Sequence, residues 1–264
     1  MGHTRLGAIP KSRKWSAVVA ELDNLESSAL HGGPGAVGGV VAVAGRTLQA
    51  AETGMDRAVE DPGLSFAFYL LTQLALSARG RDWPQALRRF GIRLSDESSI
   101  FDLTLELQSA VDRHVSTHSH PNDISEMAQQ AVGEAVAALA TAESATLFGS
   151  GREELQRAIR SLSTRKGFSE LGQVFFGRFT ARFLNFYLSR LTGEKLSQIG
   201  DVSTFNKALQ THCEQSARVV RDFCGEWFSK TEYLEGITPE NTSRFVAVAV
   251  KKLRSELRQQ RSEP

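Results

Sequence analysis

The amino-acid sequence predicts an all-α protein, a globular bundle of about eight to ten helices. Three observations carry that expectation. Apolar residues recur at helical spacing along nearly the whole chain, alternating β-branched runs bounded by turn dipeptides are absent, and glycine and proline fall between the periodic segments. A chain of 264 residues with 41% hydrophobic and 23% charged residues is long enough to bury a sizeable core, and it lies outside disordered, collagenous and coiled-coil compositions.

The elements follow in order. Trp15, Val18, Val19, Leu22 and Leu25 stand at i, i+3, i+4, i+7 and i+10, which is one face of a first helix. The sequence HGGPG at 31–35 interrupts the chain, and a helix over 37–59 follows, weakened at its start by Gly38 and Gly39. Asp61 and Pro62 read as an N-cap with proline at the first helical position, opening an apolar helix through Phe66, Leu70, Leu71, Leu74 and Leu76 that Gly80 ends. A short helix over 83–90 closes at Gly91, and another spans about 98–115. Pro121 and its neighbours make 114–122 a loop or a frayed end.

Asp123 and Glu126 have capping-box spacing and open an alanine-rich helix to about residue 148. Its Ala128, Ala131, Ala135, Ala138 and Ala142 form a stripe that lets a neighbour approach closely. Further helices are expected over 152–163, 168–191, 203–230 and 239–259, the last started by Thr238 and Pro239.

The domain reading is a basic N-terminal arm, 1–14, before a single helical body, 15–264, with 149–151 (Gly-Ser-Gly) as a candidate sub-boundary. Net charge is +1 overall, yet 15–150 carries 8 basic and 17 acidic residues while 151–264 carries 19 and 13. Such asymmetry suits docking onto a charged partner, although solvated helix faces give the same count. No apolar run reaches the roughly 18 residues a membrane helix needs, and two cysteines make no disulfide framework, so a cytoplasmic protein that does not enter the membrane is expected.

Candidate sites are few. Gly32, Gly33, Gly35, Gly38 and Gly39 lack the preceding strand and the Gly-Lys-Ser/Thr that a phosphate loop requires. Phe168, Phe175, Phe176, Phe179, Phe183, Phe186 and Tyr187 give one helix an apolar arc wider than half its circumference. Such a helix is central in the core or covered by a partner, with Phe175, Phe179 and Phe183 as the anchors in the second case. The opening segment mixes basic groups with Leu6, Ile9 and Trp15, so Arg5, Leu6, Ile9 and Trp15 are candidate partner contacts of an arm that folds back or docks.

Cys213 and Cys224, placed on one helix, would lie too far apart along its axis to bond. With His212 and the histidines of 114–120 they allow a zinc site by residue type, but no ligand series supports one. No metal and no cofactor is expected.

The sharpest local signal is Arg113-His114-Val115-Ser116-Thr117-His118. It resembles the R-x-x-x-x-H element of HEPN-type ribonucleases, including the polar residue directly after arginine. The resemblance covers six residues and implies an all-helical domain. It also implies a composite, metal-independent RNA-cleavage site in which Arg113 stabilises phosphorane charge and His118 transfers a proton. In that family the motif begins a helix, whereas here it falls at a helix end.

Abundant hydrophobic faces and scarce catalytic constellations favour a non-enzymatic helical subunit or adaptor of a larger cytoplasmic assembly, with a protein partner or a homo-oligomer. The alternatives are nucleic-acid binding, through the basic positions Lys251, Lys252, Arg254 and Arg258 of the last helix, and RNA cleavage by Arg113 and His118.

Overall fold

The computed structural model describes residues 12–28, 34–143, 152–196 and 199–259. Among them it contains twelve α-helices and no strand. In chain order these are α1 (Arg13–Ser28), α2 (Pro34–Ala50), α3 (Glu52–Val59), α4 (Pro62–Ser77), α5 (Trp83–Leu87), α6 (Ile100–His118), α7 (Asp123–Glu143), α8 (Arg152–Ser161), α9 (Arg165–Lys195), α10 (Ile199–Ser216), α11 (Arg218–Leu234) and α12 (Pro239–Gln259). A 3-10 turn, Arg88–Phe90, follows α5. The class is as expected and the count is higher, because two expected helices divide: 37–59 at Ala51 and 203–230 at Ala217.

Two apolar helices organise the packing. α4 has no charged residue, and α9 buries aromatic side chains along its length. α9 packs against α11, α7, α10, α1 and α2, while α4 packs against α7, α12, α6, α5 and α8. Helices from both sides of 144–151 therefore touch one another, and the candidate sub-boundary at 149–151 itself lies outside the described residues. Phe68 of α4 joins the two centres: its ring lies 5.7 Å from Phe168, 5.1 Å from Phe176 and 5.3 Å from Phe245 of α12. Small residues set the closest approaches. A Cβ on Gly172 of α9 would stand 2.4 Å from the Cys224 sulfur of α11. The polar side of α9 is paired as well, Arg178 with Glu214 at 2.8 Å and Arg182 with Glu134 of α7.

Caps account for several boundaries. Asp61 accepts from the Leu64 N–H at 2.7 Å and starts α4 as expected. For α7 the cap is Asn122, whose side-chain oxygen accepts from the Ser125 N–H at 3.0 Å, so Asp123 is the first helical residue and not the cap. Asn122 and Ser125 also donate to the Asp61 carboxylate, which ties the starts of α4 and α7 together. Ser99 and Asp102 form a full capping box at the start of α6. That helix continues through His118, so the segment expected as a loop from 114 is helical for one more turn. In α7 the alanine stripe is buried at Ala128, Ala131 and Ala135, but Ala138 is exposed. No described helix is long and apolar enough to cross a membrane.

Candidate functional site

Among the described residues a concavity lies where α6 and α12 flank α4, with the turn after α5 closing one side. Its volume is about 910 Å³, within the range of small-molecule sites. Both ends of the Arg113–His118 element line it, together with Phe66 and Tyr69 of α4, Arg89, Phe90 and Gly91, and Pro239, Glu240 and Ser243 of α12.

Helical spacing puts the aromatic floor in place. Phe66 and Tyr69 are three apart on α4 and share a face, both half-buried, while Phe68 points to the opposite side and is fully buried. Phe90 packs edge-on against Phe66 at 6.3 Å and against Tyr69 at 6.0 Å. The chain can bring Phe90 here because Gly91 takes a left-handed φ of 74° and stops the 3-10 turn. Arg113 lies against Gly91 and donates to the Phe90 carbonyl at 3.3 Å. A Cβ on Gly91 would stand 3.0 Å from its guanidinium.

The imidazoles form a stack. The His114 ring lies 3.6 Å from Phe66 at an interplanar angle of 3°, and 4.4 Å from His118 at 21°. The spacing of four residues on one helix face explains the second contact. His118 Nδ1 is 3.0 Å from the His114 carbonyl, which can only accept, so Nδ1 carries the proton and Nε2 is the free acceptor of the neutral ring. Burial, and then the neighbouring His118, hold the His114 pKa below its ordinary value.

The charged groups are distributed unevenly. Arg89 lies over the Phe90 ring at 4.8 Å and donates to the Gln73 side chain, so Arg89 and Arg113 meet on Phe90 as one cationic wall. On the α12 side the Glu240 carboxyl is held below its ordinary range by its own backbone N–H, by the Thr238 hydroxyl and by Arg244. Beside it Ser65 donates to Ser243 at 3.3 Å and links α4 to α12.

Other expected site residues are placed differently. Phe175, Phe179 and Phe183 are buried within the chain, as is Trp15, which packs on Tyr187 at 5.7 Å. All four belong to the hydrophobic core. Arg5, Leu6 and Ile9 lie outside the described residues. On α12, Arg254 pairs with Asp56 and Arg258 with Glu52, both of α3, and the Lys252 ammonium sits 5.3 Å over the Phe223 ring, while Lys251, Lys252 and Arg258 all remain exposed.

Cys213 and Cys224 occupy different helices, α10 and α11, because the chain breaks at Ala217. Both thiols are buried, which pushes their pKa values up and leaves them unreactive. Among the described residues no group of three or more His, Cys, Asp or Glu side chains is placed to hold a metal ion.

Sequence reasoning found Arg113 and His118 but missed Phe66, Tyr69, Arg89, Phe90 and Glu240 as their companions. The available signal was the apolar second face of α4, where Phe66 and Tyr69 stand away from Phe68. Comparison with known proteins adds no relative: no family model, curated protein or solved structure matches the chain.

Proposed function

We propose that the protein binds a small ligand in the α4–α6–α12 cavity, one that pairs a planar apolar ring with an anionic group. A single observation carries this reading: three partly open aromatic rings and a stacked imidazole pair share one cavity with two guanidinium groups. The half-buried rings and the imidazole stack offer apolar contact area to a planar ring, and Arg89 and Arg113 have N–H groups left over to receive an anion. Naphthalene-1-sulfonate is a suitable probe, since it fluoresces and stays ionised across the pH range of the folded protein. Saturable binding is expected, weakened about tenfold in Arg113→Ala, whose guanidinium makes the charge-assisted contact. Absence of saturable binding removes the proposal.

A second reading is favoured by the presence of Arg113 and His118 in the same cavity. His118 has a free Nε2 to act as base, so metal-independent RNA cleavage is chemically supported. Structured RNA incubated in EDTA with wild type, Arg113→Ala and His118→Ala decides it: cleavage by wild type alone supports the reading, and no cleavage or equal cleavage by all three ends it. The role of assembly subunit loses the aromatic stripe of α9 as its support and rests on Phe101 and Leu105, exposed one turn apart on α6. Light scattering at the mass of one chain, together with no partner co-purifying from the native host, would remove it.

A further inference from the structure

The cavity carries more than an anion site. Its cationic wall comes from the turn after α5 and from α6, where Arg89 and Arg113 converge on Phe90. Its other polar wall comes from α12 and α4, and it presents a carboxylate, Glu240, beside two hydroxyls, Ser65 and Ser243. Phe66 carries the stacked His114 ring into the same space. Arg89 is directed to Gln73 and Arg113 to the Phe90 carbonyl, while Glu240 is held by Thr238, just before α12, and by Arg244 of α12, so each wall keeps its charge. A ligand with anionic groups at both ends would meet repulsion from Glu240, and a ligand with none would forgo the attraction of the guanidiniums.

We infer that the cavity selects an amphoteric ring ligand: an aromatic ring with an anionic group at one edge for Arg89 and Arg113, and an amine donor at the far edge for Glu240. The inference rests on the reading of the cavity as a ligand site. Glu240 accepts the amine N–H, the ring lies against Tyr69 and the half-buried edges of Phe66 and Phe90, and the anion takes the remaining guanidinium N–H groups. A hydrogen bond to an ionised group contributes enough to discriminate about tenfold between ligands that do and do not make it.

Three probes on one ring test this. Naphthalene-1-sulfonate supplies the ring and the anion, 5-aminonaphthalene-1-sulfonate adds the donor at the far edge, and naphthalene-1,5-disulfonate puts a second anion there. Wild type is expected to bind the amino compound about tenfold more tightly than the parent, and the disulfonate more weakly than the parent. Glu240→Ala, checked for helix content by circular dichroism, is expected to remove the amino compound's advantage and to strengthen disulfonate binding. If the parent compound binds and wild type ranks the three alike, the amphoteric reading falls while the ligand site stands. An unchanged ranking in Glu240→Ala also overturns it. If none of the three binds, the ligand site falls with it. The wild-type ranking decides even if the variant does not fold.

Discussion

α4 sends two phenylalanines in opposite directions. Phe68 enters a dry cluster with Phe168, Phe175, Phe176, Trp227 and Phe245, drawn from α9, α11 and α12. Phe66, two residues earlier, enters a half-open cluster with Tyr69, Phe90 and His114. The residue type is the same and the surroundings differ. Around Phe68 the neighbours are apolar rings, whereas Phe66 opens onto a cavity that two guanidiniums, two imidazoles and a carboxylate also line. An aromatic cluster that is finished from within the chain serves stability, and one left open among charges is suited to a ligand.

The largest expected effect breaks the first cluster. Phe68→Ala removes a buried ring that contacts α9, α11 and α12, and is expected to cost about 3–5 kcal/mol in denaturant unfolding. Phe66→Ala should cost only roughly 1 kcal/mol, because that side chain is already part-exposed, yet it should weaken naphthalene-1-sulfonate binding about tenfold. Equal stability losses at the two positions would contradict the division between core and cavity.

A second contrast lies within α9 and separates its packed part from its open end. Gly172→Ala would force a methyl group against Cys224 and is expected to destabilise by about 1–3 kcal/mol. Gly193 has no atom within 4 Å of a built Cβ, so Gly193→Ala should stabilise by up to about 1 kcal/mol through helix propensity. Thermal melts of the two variants are expected to move in opposite directions.

The sequence reveals these two regions to different depths. The helix over 239–259 is found with its observed bounds, since Thr238 and Pro239 mark its start locally. The Asp61 cap is legible for the same reason. The breaks at Ala51 and Ala217 are not, because neither position is a glycine or proline and nothing in the local sequence marks it. The α9 aromatics fit either core or interface by periodicity, and only the positions of α11, α7 and α10, with Phe68 of α4, decide that they are core. For the cavity, Arg113 and His118 stand out by local spacing, whereas Glu240 is brought to them from more than a hundred residues away by the shared packing on α4.

The smallest expected difference concerns proton binding, and it sharpens the same division. Burial lowers the pKa of His212, a core residue of α10, and burial with the neighbouring His118 lowers that of His114 in the cavity. Each folded-state value lies below the unfolded one. The unfolded chain therefore takes up protons first as pH falls below about 6.5, so stability is full above that value and declines as pH approaches the lower folded-state values. Both His212→Gln and His114→Gln are expected to flatten the fall of melting temperature between about pH 7 and 5.5. Probe binding tells the two apart. A bound sulfonate favours the charged imidazole of the cavity, so affinity should rise on acidification over the same range. The titratable and charged groups that line the cavity with His114 are His118, Arg113, Arg89, Tyr69 and Glu240. His114→Gln should weaken the rise in affinity, and His212→Gln should leave it intact because His212 faces the core of α10 and does not line the cavity. An affinity that does not change with pH in wild type would show that the anion sits away from the imidazole stack.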